Sequence, residues 1–330
     1  MVFETKADAE ALLVATPTDH ADISHYYHWR EPFELDAVEA AIVAAGHSVV
    51  RIGTPQTMAT ELARWQRDVD LIFNLSVGFV DRFRLAAGPM LFELAGLPYS
   101  GADPYTKLIS QNKHLLKTQF NQMGIPTPRF LVAPVGERPP EQSVPGYPCI
   151  VKPTAEGSSV GVWPDSVVDS YDELIPAVER LWNRLGMDAL IEVFIAGREL
   201  KIVLLGDQEI AFEGIIEDVD AAGASLGDRI LHFDVKSTGI MGKRAVATDE
   251  PMMTALLVDC RRIYRRFLPV DYASFDVRIA GDEYFFLEFQ ADATLHPERT
   301  LARCCELNGL SHERAVQCIL STALARHGLR

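Results

Sequence analysis

The chain has 330 residues, 48% of them hydrophobic and 23% charged, which is enough apolar material for two or three packed domains and too much for a disordered or fibrous chain. Asp and Glu outnumber Lys and Arg by 46 to 31, a formal charge of −15, so phosphate backbones and anionic lipid would repel it and neither nucleic acid nor membrane is an expected partner. A bound nucleotide then needs a local cationic pocket and a metal.

No apolar run approaches the roughly 20 residues of a membrane span. The opening Met1–Lys6 has no basic end ahead of an apolar stretch, which predicts a cytoplasmic chain without a secretion signal. Cys149, Cys260, Cys304, Cys305 and Cys318 form no CxxC and no zinc-like pairing with His, and predict reduced thiols, mostly in the core.

In chain order, Leu12–Ala15 reads as the first strand, followed by a polar and aromatic loop from Pro17 to Pro32. Leu35, Val38, Ile42 and Ala45 mark one face of a helix that Gly46 ends. Val49–Ile52 and Leu71–Leu75 are short apolar runs bounded by breakers and read as buried parallel strands, with a helix over about Arg84–Ala95 stopping at Gly96. This alternation predicts an open doubly wound sheet. Asp103–Pro104 starts a helical pattern that carries Lys113 and Lys117 to Gly124, where Pro126 and Pro128 force an extended exit.

From Val132 to Gly146 the chain turns to Pro, Gly and Glu, a surface excursion before a strand over Tyr147–Lys152. A glycine–serine loop, a helix over Tyr171–Leu185 and strands over Ala189–Phe194, Glu199–Leu205 and Glu209–Ile216 follow. Glu217–Val246 is polar and glycine-dotted, long enough to predict a functional loop. A helix over Met252–Phe267 precedes Ala273–Ile279 and Glu283–Gln290, a hairpin about the Gly-first turn Gly281–Asp282, and helices from about Thr300 and Glu313 close the chain.

Two constellations bear chemistry. Strand alternation predicts that Tyr284, Phe286, Glu288 and Gln290 share one face of the hairpin and Phe285, Leu287 and Phe289 the other, with Asp276 and Arg278 together on the partner strand. Asp276, Glu288 and Gln290 then lie side by side, either as a solvated strand face or as hard oxygen donors for Mg2+ held jointly with substrate phosphates. Lys152 precedes Pro153–Gly161, a small-residue loop that reads as a plain turn or as a phosphate cradle. It is not a P-loop, because GxxxxGK[ST] is absent, and no GxGxxG follows a strand.

Together the ordered segments Phe73–Leu75, Leu91–Gly101, Asn112–Lys113 with Lys117, Gly124–Pro128, Val151–Pro153 with Glu156–Gly161, Ile191–Glu199, Asp276 and Leu287–Gln290 resemble the D-alanine–D-alanine ligase branch of the ATP-grasp superfamily over roughly residues 70–325. The resemblance implies an α/β chain with an α+β C-terminal part. Residues 1–105 would be an α/β domain with a doubly wound parallel sheet, 106–195 a central ATP-grasp subdomain with the phosphate loop, and 196–330 a C-terminal subdomain with the metal hairpin. It implies an ATP- and magnesium-dependent carbon–nitrogen ligase that releases ADP, acts on a small carboxylate and an amine through an acyl phosphate, and forms a homodimer.

By the same resemblance Lys113 and Lys152 bind ATP phosphates, and Glu156, Gly157, Ser158 and Ser159 belong to a flexible loop that closes over them. Glu192, Val193, Phe194 and Ile195 form a hinge facing adenine, mostly through backbone groups; Glu199 holds the ribose hydroxyls and Phe286 packs against the adenine ring. Asp276 and Glu288 bind two magnesium ions, Gln290 offers an amide oxygen, and Lys236 falls where a mobile loop carries a phosphate-contacting lysine.

Departures from the family fall at the substrate end. Its glycine-rich opening has no match in Thr16–His20 or His25–Arg30. Ser274 replaces an arginine, for which Arg278 on the same strand face is the candidate substitute, and Gln290–Pro297 replaces Asn-Thr-x-Pro-Gly. These changes predict a product other than D-alanyl-D-alanine, formed from an amino acid or a specialised metabolite. His25 and His28 are candidates for contact with the carboxylate donor, against a metal or simple packing; His296 and Arg299 are candidates at the acceptor, against a solvated helix start. Intramolecular cyclisation or another nucleophile is a second reading, and a nucleotide-binding protein that has lost catalysis a third.

Overall fold

The N-terminal layer is built from segments too short to carry more than a few ladder bonds. In the computed structural model, which describes residues 1–15, 29–79, 82–157, 159–230, 242–291 and 293–329, Val2 bridges in parallel to Gly53 and to Asn74, and Ile72 to Tyr99. Phe3 N donates to Gly53 O at 2.8 Å, Leu75 N to Val2 O at 2.9 Å and Ser100 N to Ile72 O at 2.9 Å. Around this layer run α1 (Lys6–Ala15), α2 (Pro32–Ala44), α3 (Pro55–Thr60), α4 (Leu62–Asp68) and α5 (Arg84–Leu94). Alternation sends Phe3, Phe73 and Leu75 toward Leu35, Val38 and Ile42 of α2. It sends Val2, Ile72 and Tyr99 toward Met58, Trp65 and Phe92 on the other side. Helices on both faces of parallel segments are the doubly wound arrangement.

One assignment from sequence is corrected. Leu12–Ala15 lies in α1, and the first extended segment is the one around Val2. A three-residue segment is too short to show a period, whereas a short apolar run inside a helix cannot be told from a buried strand by periodicity.

Next come α6 (Pro104–Gln111) and α7 (Lys113–Met123), started by Asp103, whose carboxylate accepts from Thr106 N at 2.7 Å, and ended by Gly124 in the left-handed region at φ 68°. Strands β1 (Phe130–Ala133), β2 (Cys149–Pro153), β3 (Val167–Val168) and β4 (Ala189–Val193) form an antiparallel sheet in the order β1-β4-β2-β3. Helix α8 (Tyr171–Leu185) covers it with Leu174, Val178 and Leu181 against Val151 and Ile191.

The second sheet, β5 (Arg198–Gly206), β6 (Ile210–Val219), β7 (Gly242–Ala245), β8 (Tyr272–Ala280) and β9 (Glu283–Gln290), is antiparallel in the order β7-β6-β5-β8-β9. The stretch predicted as loop from Glu217 thus supplies the end of β6 and all of β7. Helices α9 (Pro251–Arg266), α10 (Thr300–Leu307) and α11 (His312–Arg326) complete the chain. Strand β5 serves two cores: Leu200, Ile202 and Leu204 pack with Phe120 of α7 and Leu256 and Ile263 of α9, while Val203 and Leu205 pack with Leu301, Cys304 and Ile319 of α10 and α11. Burying each such side chain contributes about 1.5–3 kcal/mol. All five cysteines are free and four are buried. No helix among the described residues is long and apolar enough to cross a membrane.

Candidate active site

A cleft opens between the two antiparallel sheets. Strands β2 and β4 contribute Ile150, Lys152, Glu192 and Val193; β5, β8 and β9 contribute Glu199, Asp276, Arg278, Leu287 and Glu288; α7 contributes Lys113. The hinge residues Phe194 and Ile195 and the loop residues Glu156 and Ser159 complete this wall.

The hinge turns at Gly197. Its N–H donates to Gly227 O at 2.7 Å, and at φ +150° a Cβ there would stand 1.8 Å from Ile279 O. Only glycine lets the chain pass so close to β8 while joining the two sheets.

At the cationic end, three elements meet on one carboxylate. Lys152 of β2 lies 2.6 Å from Oε1 of Glu192 on the adjacent strand, and Lys117 of α7 lies 2.9 Å from Oε2. Lys117 also donates to Thr127 Oγ1 at 2.7 Å, and Thr127 Oγ1 donates to Phe286 O at 2.8 Å. Burial pulls the Lys117 ammonium down to about 8, against the pull of Glu192. Burial alone would raise the Glu192 carboxyl, but Lys117 and Lys152 outweigh it and hold it below the usual range. For Lys152, burial lowers the ammonium and the carboxylates of Glu192 and Glu288 more than reverse it.

Across the cleft, Asp276 and Glu288 face each other in register on β8 and β9. Lys113 Nζ stands 3.2 Å from Glu288 Oε1 and also donates to the carbonyl oxygen of Glu156. Gln290 donates from Nε2 to Glu288 Oε2 at 2.9 Å, and its Oε1 accepts from Ser274 Oγ at 3.4 Å. Two carboxylates and an amide are too few to enclose an ion by themselves. They match magnesium shared with phosphate oxygens and water. Among the described residues five carboxylates and three cations line the cleft, an excess of negative charge that a divalent cation would offset for an entering polyanion.

Arg278 and Glu199 pair directly, with Nη2 at 2.8 Å from Glu199 Oε2. Arg278 is also held by the carbonyls of Ile195, Gly227 and Arg229 and lies 5.1 Å from the Phe194 ring centroid. It is braced under the hinge, not directed at Ser274.

Phe286 is not at the cleft. The β8–β9 register shifts between Asp276 and Val277, leaving Leu287 without a partner between Glu288 and Phe286. This bulge inverts the alternation. Phe286 is fully buried against Phe120 and Phe275, and Leu287 takes its place in the lining. His296 and Arg299 do not line the cleft. His296 is buried with its ring against Phe33 and Nε2 at 3.6 Å from Glu31, and Arg299 stands at the N-cap of α10. His25, His28, Ser158 and Lys236 lie outside the described residues.

Sequence reading assigned no role to Arg84 at the start of α5. Its Nη1 donates to Val77 O at 2.7 Å and its Nη2 lies 3.5 Å from Glu156 of the phosphate loop. Glu4 accepts from Val77 N at 2.9 Å and Gly78 N at 3.2 Å. Together these contacts bind the N-terminal layer to the loop over the cleft. Long-range contacts of this kind leave no periodic trace in a single sequence.

Comparison with known proteins places these features in a family. Residues 120–321 match the family model described as D-ala D-ala ligase C-terminus. The D-alanine–D-alanine ligase of Gluconobacter oxydans is 33% identical over 303 residues, covering 89% of this chain and 95% of that protein. An uncharacterised protein of Sinorhizobium fredii, y4sG, is 27% identical over 312 residues, covering 91% and 90%. Among solved structures, the D-alanine–D-alanine ligase of Bacillus anthracis complexed with ATP superposes with a TM-score of 0.70 at 18% identity, over 90% of this chain and 92% of that one, which shows a common fold.

Proposed function

We propose that this chain, which belongs to the D-alanine–D-alanine ligase family of the ATP-grasp superfamily, transfers the terminal phosphoryl group of ATP to a small carboxylate and passes the acyl phosphate to an amine. It is an ATP-dependent, ADP-forming carbon–nitrogen ligase. The observation that carries the mechanistic reading is the meeting of Lys113 and Lys152 with Asp276 and Glu288 around one cleft.

A carboxylate resists an amine because oxide is a very poor leaving group, and phosphorylation replaces oxide with phosphate. Lys152, fixed by Glu192, holds a phosphate oxygen. Lys113 exchanges Glu288 for another as ATP enters, so both cations act where charge develops. Asp276 and Glu288 hold magnesium, with Gln290 beside them; bound there, the ion neutralises the transferring phosphoryl group. Glu192 to Ile195 present backbone groups to adenine, Leu287 packs beside it and Glu199 takes the ribose hydroxyls. Glu156, Gly157 and Ser159 cover the phosphates, excluding water from the acyl phosphate.

The donor and acceptor are taken to be an amino acid or a specialised metabolite other than paired D-alanine. What supports this is the substrate end: Ser274 stands where the family has arginine, and Glu34 accepts from Thr294 Oγ1 at 2.8 Å and Leu295 N at 3.0 Å, fixing a segment unlike the family's. Donor carboxylate labelled with heavy oxygen tests the reading. Label recovered in released phosphate supports an acyl phosphate, and unlabelled phosphate removes it.

A further inference from the structure

Lys201 sits at a position of β5 whose in-phase successors, Val203 and Leu205, are core residues. It is itself 3% exposed and outside the cleft lining, on the same sheet face as the lining residues Glu199 and Asp276. Its ammonium is 2.6 Å from Asp276 Oδ2, 2.8 Å from Glu199 Oε1 and 3.8 Å from Asp218 Oδ2. Asp276 is its direct cross-strand partner on β8. A buried ammonium is tolerated only with such partners: Lys201 donates to Asp276 and Glu199, and the Asp218 carboxylate adds its charge from farther off.

The two carboxylates proposed to take magnesium therefore each have a lysine, but the two lysines differ. Lys113 lines the cleft and has Glu288 and a loop carbonyl as partners, so an incoming phosphate can take it over. Lys201 is buried beside the lining and held by the carboxylates of Glu199, Asp218 and Asp276 on three strands.

We infer that Lys201 is a positioning residue that pins Asp276 and offsets its charge in the nucleotide-free site, so that a divalent cation is taken up only together with the nucleotide. This rests on the reading of the cleft as a magnesium–ATP site. A divalent ion entering alone would meet a fixed cation 2.6 Å from one of its ligands. The polyphosphate of ATP brings the missing negative charge. The arrangement also keeps Asp276 in one orientation, because its Oδ2 is bound to a buried residue that two further carboxylates hold.

Manganese(II), followed by its paramagnetic signal in titrations of the whole chain, provides the test. The native protein is expected to take up manganese with ATP or ADP present and not at the same concentrations without nucleotide. Lys201→Met, checked for folding by thermal melting, should bind manganese without nucleotide about tenfold or more tightly than the native chain. Lys201→Arg, which keeps the charge, should behave as native. Equally tight manganese binding by the native chain with and without nucleotide would overturn the inference, and this measurement requires no variant. Unchanged manganese affinity in folded Lys201→Met would overturn it too. No uptake even with ATP would remove the magnesium–ATP reading itself, and the inference with it, a result distinct from either of the others.

Discussion

Arg278 sets two guanidinium nitrogens on one oxygen of Glu199, Nε at 3.1 Å and Nη2 at 2.8 Å. The two residues are cross-strand partners on β8 and β5, and the remaining Arg278 donors hold backbone carbonyls of the hinge and of the 227–229 turn. The residue is thus a strut joining hinge and sheet. Arg278→Gln is expected to cost about 3–5 kcal/mol in urea denaturation, because Glu199 loses a buried partner. In steady-state kinetics KM for ATP should rise more than kcat falls. A loss confined to kcat would mean that Arg278 acts on the reacting atoms instead.

Glu192 gives a pH-dependent test. Its carboxyl lies below its ordinary value of 4.5 because Lys117 and Lys152 overcome the effect of burial. A carboxylate with a lowered folded pKa binds fewer protons folded than unfolded, so its stabilisation is complete above 4.5 and is lost as pH falls through the folded value. Glu192→Gln should be less stable by about 3–5 kcal/mol at neutral pH, since two buried ammonium groups lose their counter-ion. The gap to the native protein should narrow in acid. Equilibrium unfolding across the carboxylate range measures it, and a gap that stayed constant would assign the loss to packing.

Phe286 and Leu287 separate core from cleft. Phe286→Ala should cost about 3–5 kcal/mol, the usual loss for an enclosed aromatic, with ATP affinity in the surviving folded protein little changed. Leu287→Ala should be milder in stability and raise KM for ATP up to about tenfold. The reverse pattern would restore Phe286 to the adenine site.

This pair also shows where sequence reading ends. The hairpin, its Gly281–Asp282 turn and the facing of Asp276 on Glu288 were legible, because alternation and turn chemistry are local. The face of Phe286 was not, because a single bulged residue inverts the period and nothing in Tyr284–Gln290 announces it. The first strand failed for a related reason: around Val2 it is held by two neighbours distant in sequence and is too short to declare itself. Lys152 and Glu288 stood out as candidates from their loop and strand and gained roles through the resemblance, which also supplied Lys113 and Glu192, whereas Lys201 and Arg84 emerge only when partners far apart in sequence are brought together.

Gly197 is predicted to be irreplaceable. An added Cβ would meet the Ile279 carbonyl at 1.8 Å in a backbone conformation that side chains rarely adopt. Gly197→Ala should displace the hinge, lowering both the melting temperature and the affinity for an ATP analogue in a direct binding titration. Native affinity in the variant would show that the hinge does not set the adenine site.

Ligation itself is the central claim. The measurement is ADP release from magnesium–ATP with pools of carboxylates and amines, with mass spectrometry of active mixtures and Glu288→Gln run in parallel. The predicted result is release that requires both a carboxylate and an amine, yields a product lighter than their sum by one water, and is abolished in Glu288→Gln. ADP release that needs no amine, or that persists undiminished in Glu288→Gln, would contradict it.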